Sequence, residues 1–173
     1  TESGVAAGLL YFVLPYVHGE SLRGLMRRTP QFEVEEAVRL TREIADGLAC
    51  AHAEGIIHRD IKPENVLLSG GHAVITDFGL AKALSPSSGE STTSSGLAVG
   101  TPLYMSPEQF AAAPDIDAHT DQYSLACLFY EMLAGEPPFT GPTPQAVGAR
   151  HMQQTPPSIR IIRPRISPAI AAV

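Results

Sequence analysis

A chain of 173 residues is the size of one ordinary domain and is long enough to bury a sizeable core. Its 44% hydrophobic and 17% charged residues are those of a globular protein and argue against a disordered chain. The net charge of −6 gives no reason to expect nucleic acid or an anionic membrane as a partner.

In chain order, LLYFVLPYV (9–17) is apolar, aromatic and β-branched, and predicts a buried strand that stops at Pro15. ESLRGLMRR (20–28) predicts a short helix. In VEEAVRLTREIADGLACAHAEG the apolar or small positions Val34, Ala37, Val38, Thr41, Ile44, Ala45, Leu48, Ala49 and His52 follow the i, i+3, i+4, i+7 stripe of an amphipathic helix. Glu35 and Arg39 are spaced for an i, i+4 pair on its wet face, and Gly55 is placed to end it as a left-handed cap. VLLS (66–69) and AVIT (73–76), separated by Gly70, Gly71 and His72, predict a hairpin with a glycine turn. From Ser85 to Gly96 runs SPSSGESTTSSG, a hydroxyl-rich loop without a core residue. DQYSLACLFYEMLAG (121–135) is apolar on nearly every face and predicts a helix buried on all sides, ended by Gly135, Pro137 and Pro138. Its most apolar part, Tyr123–Ala134, is too short to span a bilayer and contains Glu131. Beyond Thr140 only PQAVGARHM (144–152) has helical character.

The two cysteines, Cys50 and Cys127, each fall inside an apolar helical pattern and are expected as core thiols of a reducing compartment. No signal peptide is visible. The chain starts at Thr1 and stops at AIAAV, as if cut from something longer at both ends.

HRDIKPEN (58–65) and DFG (77–79) carry the polar residues best placed for chemistry. Asn65 lies just before the first strand of the predicted hairpin and Asp77 just after the second, so pairing brings the two side by side. Two oxygen donors there, with Asp60 on the same loop, suit a hard cation such as Mg²⁺, which takes one or two protein oxygens and fills its shell with water and phosphate. Lys62 adds a point positive charge suited to a phosphate. The pattern points to a metal-assisted phosphate site with a spare carboxylate.

HRDIKPEN, DFG, GTPLYMSPEQ and the buried DQYSLACLFYEMLAG helix, in this order and spacing, resemble a eukaryotic-type serine/threonine protein kinase of bacterial kind. The resemblance implies an α+β, protein-kinase-like fold: a mainly helical C-lobe with short β-hairpins and an N-lobe largely absent. Residues 1–17 would be the remnant of that N-lobe, its last strand and hinge. Residues 18–173 would be an incomplete C-lobe, with catalytic loop 58–65, metal-binding loop 77–79 and activation segment 77–108.

By this resemblance Asp60 orients the substrate hydroxyl and accepts its proton, and Lys62 steadies the γ-phosphate. Asn65 and Asp77 hold the metal. Thr101 would bridge Asp60 and Lys62; otherwise it is a plain turn residue before Pro102. On the nucleotide side stand Leu14, Pro15, Val17, Ser21, Glu64 and Leu67; Pro15 lacks an N–H but keeps the carbonyl this role needs. His58, Phe78 and Gly79 would hold the two loops in register, and Asp121 would anchor the His-Arg-Asp turn. Arg59 would pair with a phosphate on the loop between DFG and SPE, where Thr92 or Thr93 is the favoured site; a flexible linker is the alternative. Glu108 lacks the Asp-Pro-x-x-Arg context that would pair it. The implied cofactors are ATP and Mg²⁺, with Mn²⁺ as a substitute. The implied partner is a protein bearing serine or threonine, with no nucleic acid and no membrane segment in this chain, and self-association through autophosphorylation or exposed apolar surface as an option. The implied location is the cytoplasm, with membrane anchoring of the full-length protein through a segment outside this chain as an option.

The sequence contains no G-x-G-x-x-G and no V-A-I-K-like run. The chain by itself is therefore expected to be inactive or very weak, and to expose apolar surface at 9–17. A non-catalytic scaffold derived from a kinase and a small-molecule kinase are the other two readings. The intact Asp60, Lys62, Asn65 and Asp77 weigh against the first, and GTPLYMSPEQ against the second.

Overall fold

The computed structural model describes residues 2–6, 9–78 and 102–171. Gly79, Thr92, Thr93 and Thr101, with the whole hydroxyl-rich stretch 85–96, lie outside the described residues.

Strands β1 (Glu2–Ala6) and β2 (Leu9–Val13) form an antiparallel hairpin. ESGVA has a weak strand signal of its own, and only the second strand was legible in the sequence. The strand is also not buried as its composition suggested. Tyr11, Val13 and Leu14 are about half exposed and Tyr16 is 82% exposed, because a two-stranded sheet needs a second layer to cover its faces.

A short strand β3 (Glu20–Ser21) leads into helix α1 (Leu22–Arg28). Ser21 caps that helix, its Oγ accepting a hydrogen bond from the Gly24 N–H at 3.2 Å. Helix α2 (Val34–Ala53) buries Ala37, Leu40, Ile44 and Leu48, spaced by three or four residues. The buried face is turned relative to the stripe read from sequence: Leu40 is fully buried, while Ala45, Ala49 and Cys50 are exposed. Cys50 is therefore not a core cysteine. Arg39 pairs not with Glu35 but with Glu36 and Glu43, each at 2.7 Å. The helix ends where Gly55 takes φ 71°, with its N–H donating to the His52 carbonyl and the Ile56 N–H to that of Ala51. This is a Schellman motif, and it needs a left-handed residue at that place.

Strands β4 (Val66–Ser69) and β5 (His72–Ile75) pair with Ser69 opposite His72. Gly70 and Gly71 are thus the two loop residues, at φ 58° and 86°, the positive pair that a type I′ turn requires. His72, read as part of the turn, belongs to the strand. Helix α2 grips this tip: Arg39 donates to the Gly71 carbonyl and Glu43 accepts from the Ala73 N–H at 2.7 Å. That N–H, aided by His72 and Arg39 against the effect of burial, holds the Glu43 carboxyl below its usual range. β3 adds to the other edge of β4, pairing Ser21 with Leu67.

A 3₁₀ turn (Pro102–Tyr104) precedes the short helix α3 (Pro107–Phe110). Helix α4 (His119–Ala134) packs on α2. It is not buried on all sides as its composition suggests: His119, Gln122 and Ala126, three and four residues apart, leave one exposed stripe. Leu128, Met132 and Leu133 are essentially inaccessible, and burying one such leucine contributes about 1.5–3 kcal/mol. The helix ends at Gly135, as the sequence suggests. Helix α5 (Pro144–Gln153) is capped by Thr143. Two four-residue helices follow, α6 (Ile159–Ile162) and α7 (Pro168–Ala171), too short to leave a periodic signal. No helix among the described residues is long and apolar enough to cross a membrane.

The cysteines differ sharply. Cys127 is 5% exposed, and burial pushes its thiol up to about 12. The folded protein treated with iodoacetamide at pH 8 is expected to carry the label on Cys50 and none on Cys127, read by peptide mass spectrometry. Labelling of both at similar rates would contradict this packing.

Candidate active site

Residues 58–65 connect α2 to the central hairpin, and their shape depends on residues far along the chain. Arg59 sits at φ 69°, a left-handed conformation that costs a non-glycine residue. Asp121, at the start of α4 and fully buried, accepts the Arg59 N–H on Oδ1 at 2.7 Å and the His58 N–H on Oδ2 at 2.8 Å. The His52 ring meets Oδ2 at 2.8 Å as well. A buried carboxylate is tolerated because donors converge on both of its oxygens.

His58 is 1% exposed and bridges the loop to the hairpin. Its Nε2 lies 2.8 Å from the Thr76 carbonyl, which can only accept, so Nε2 carries the proton. Its Nδ1 is then free to accept the Asp60 N–H at 3.2 Å. The Phe78 ring packs edge-on against it at 4.7 Å between centroids. With both nitrogens committed, His58 is a structural link.

The Asp60 side chain is 40% exposed. Lys62 Nζ donates to its Oδ2 at 2.6 Å, and Asn65 Nδ2 donates to the same oxygen at 3.0 Å and to the Asp60 carbonyl at 2.8 Å. Both side-chain donors use Oδ2, and Oδ1 accepts nothing among the described residues. The amide orientation of Asn65 leaves its own Oδ1 as a spare acceptor. The Thr76 N–H donates to the Asn65 carbonyl at 2.9 Å, so the hairpin ends are locked side by side. Asp77 follows at φ 63° with its carboxylate exposed. Asp60, Lys62, Asn65 and Asp77 are thereby gathered at one end of one hairpin.

The residues of the expected nucleotide side are placed less tightly. Leu14 and Pro15 are exposed and Val17 is half-buried. Ser21 and Leu67 stand opposite each other across β3 and β4, with the Ser21 Oγ already used as the helix cap. Glu64 turns its carboxylate to Arg23 at 2.8 Å. Glu108 is half-buried and has no ion pair among the described residues.

Four side chains that sequence reasoning passed over tie this region together. Arg23 on α1 bonds Glu64 and, at 2.7 Å, the buried Glu131 on α4; it also donates to the Tyr104 hydroxyl. Tyr104 in turn donates to Glu131. Burial, then the Glu131 carboxylate, push the Tyr104 hydroxyl up, which keeps its proton in place as a donor. Burial disfavours the charge on Arg23, but the hydrogen bonds to Glu131 and Glu64 outweigh it and raise its pKa. The one signal in the sequence was Glu131 itself, an acid in an otherwise apolar run. The fourth is Gln109 in α3. Its Oε1 accepts the Ser106 N–H at 3.0 Å and its Nε2 donates to the Arg59 carbonyl at 2.7 Å.

No group of three or more His, Cys, Asp or Glu among the described residues is arranged to hold a metal ion. A cation at the hairpin end would draw on the Asn65 and Asp77 oxygens and on non-protein ligands. This donor set fits Mg²⁺, which keeps several waters and binds phosphate alongside few protein oxygens.

Known proteins carry the same arrangement of sequence. The family described as "Protein kinase domain" matches residues 5–170. "Probable serine/threonine-protein kinase pknA2" of Bifidobacterium longum is 41% identical over 172 residues, 99% of this chain and 22% of that protein. "Serine/threonine-protein kinase PknB" of Mycobacterium tuberculosis is 41% identical over 157 residues, 90% of this chain and 25% of that protein. A kinase of Streptomyces coelicolor, named as a probable serine/threonine-protein kinase, is 39% identical over 164 residues, 94% of this chain and 24% of its own length. The chain thus spans about a quarter of the length of these curated relatives. The chain belongs to the protein kinase family.

Proposed function

We propose that this chain is the catalytic part of a longer enzyme that transfers phosphate from ATP to serine or threonine hydroxyls of proteins. The observation that carries the reading is the Asp60 carboxylate, held among the described residues by Lys62 and Asn65 on Oδ2, at the hairpin end that also bears Asp77. In this reading the Oδ1 of Asp60, which accepts nothing among the described residues, takes the proton of the attacking hydroxyl. Lys62, already anchored on Asp60, steadies the γ-phosphate with its positive charge. Asn65 and Asp77 would hold Mg²⁺; ATP would supply the phosphoryl group, leaving as ADP, and the metal would neutralise phosphate charge. Residues 1–17 are read as the last strand and hinge of an N-terminal lobe and 18–173 as an incomplete C-terminal lobe. The place of action is the cytoplasm, where ATP is available and the unpaired Cys50 and Cys127 stay reduced.

Incubation with radiolabelled ATP and casein tests this. The longer protein containing this chain is expected to label serine or threonine, and its Asp60→Asn variant is not. The 173-residue chain alone is expected to transfer little, because its sequence holds neither a glycine-rich phosphate loop nor a strand lysine. Asp60-dependent transfer by the chain alone at the rate of the longer protein would overturn that second expectation.

A further inference from the structure

The left-handed turn at Arg59 is held from two directions. Asp121 takes its N–H, and Gln109 donates to its carbonyl. That carbonyl belongs to the peptide plane between Arg59 and Asp60. The other end of the same plane, the Asp60 N–H, is taken by His58 Nδ1. The plane that carries the Asp60 Cα is therefore pinned at both ends, and one of the two pins comes from α3, fifty residues downstream.

The orientation of the Gln109 amide follows from its partners. The Ser106 N–H can only donate and the Arg59 carbonyl can only accept. A flipped amide would set nitrogen against N–H and oxygen against carbonyl, so Oε1 faces Ser106 and Nε2 faces Arg59. The Ser106 Oγ accepts the Gln109 N–H in return, closing a capping box that locks the side chain in place.

We propose that Gln109 is a positioning residue for Asp60, coupling the turn and short helix at 102–110 to the direction of the catalytic carboxylate. This rests on the phosphotransfer reading above for its functional half. The coupling itself rests on the hydrogen bonds alone. A shift of α3 withdraws the donor from the Arg59 carbonyl, and the strained residue loses one of its two holds.

Gln109→Glu isolates this link. A glutamate oxygen still accepts the Ser106 N–H, so the cap survives, while the donor to Arg59 is replaced by an oxygen facing an oxygen. Gln109→Met has similar length and removes both bonds. In the full-length protein, both variants are expected to lose about 10- to 100-fold in kcat, the scale of a small misplacement of a reacting group, with KM for ATP unchanged. Hydrogen–deuterium exchange is expected to speed up at the Arg59 and Asp60 amides in both, with the unfolding midpoint of Gln109→Glu close to that of the parent. Equal exchange at those amides in parent and Gln109→Glu overturns the coupling, whether or not the protein transfers phosphate. Faster exchange with full kcat overturns the positioning role. Faster exchange in Gln109→Glu, with a parent protein that transfers no phosphate at all, upholds the coupling and overturns the phosphotransfer reading instead.

Discussion

An Asp121→Ala protein is expected to unfold well below the parent and to lose phosphotransfer with it. The carboxylate accepts the N–H groups of His58 and Arg59 and meets the His52 ring, and it is fully buried. Alanine leaves three polar groups without a partner where water does not reach them freely. Breaking a buried charged network of this kind costs about 3–5 kcal/mol. For a domain of this size that corresponds to a fall of roughly 6–20 °C in the unfolding midpoint. Circular dichroism melts of parent and variant measure it. A midpoint within about 2 °C of the parent, less than 1 kcal/mol is expected to give, would show that the loop does not depend on this anchor. Asp121→Asn should fall between the two, because its amide keeps one acceptor and sets a donor against one of the backbone N–H groups.

Asp60→Asn is expected to do the reverse: a large loss of rate with little loss of stability. The Asp60 side chain is 40% exposed, and its pair with Lys62 is correspondingly screened; such pairs contribute about 0–1 kcal/mol. In the proposed function the Asp60 carboxylate is the general base, and removing such a base lowers kcat by about 10²- to 10⁴-fold. Initial rates with a serine or threonine peptide, taken with the KM for ATP, separate the two effects. Asp60→Asn protein that keeps more than about half the parental kcat, far from the loss expected of a general base, would remove Asp60 from the chemistry. The two aspartates contrast: Asp121 is buried and holds the backbone, whereas Asp60 is partly open and is proposed as the proton acceptor.

Much of the fold was legible because it is local. The stripe of α2, the glycine turn between β4 and β5, and the apolar run of α4 each leave a periodic or turn signal within a few residues. The turned face of α2 shows the limit of that method. Small residues such as Ala45 and Ala49 fit either face, and only packing on α4 and β5 decided that Leu40 goes in and Cys50 stays out. The strand β1 was missed because its partner, not its composition, makes it a strand. The polar members of the candidate site were legible as residues, by motif and resemblance. Their geometry was not. The positive φ of Arg59 is set by Asp121, sixty-two positions away. Arg23 meets Glu131 across 108 positions. No window of neighbouring residues contains such information.

The distance from Arg59 to Asp121 also has a temporal side. A polypeptide leaves the ribosome from its N-terminus at about 5–20 residues per second. Residues 58–65 are synthesised several seconds before α4 exists. Until Gln109 and Asp121 emerge, neither of the two holds on Arg59 exists, so the nascent chain carries the motif without its geometry. The candidate site is consequently assembled late, by the second half of the chain closing onto the first.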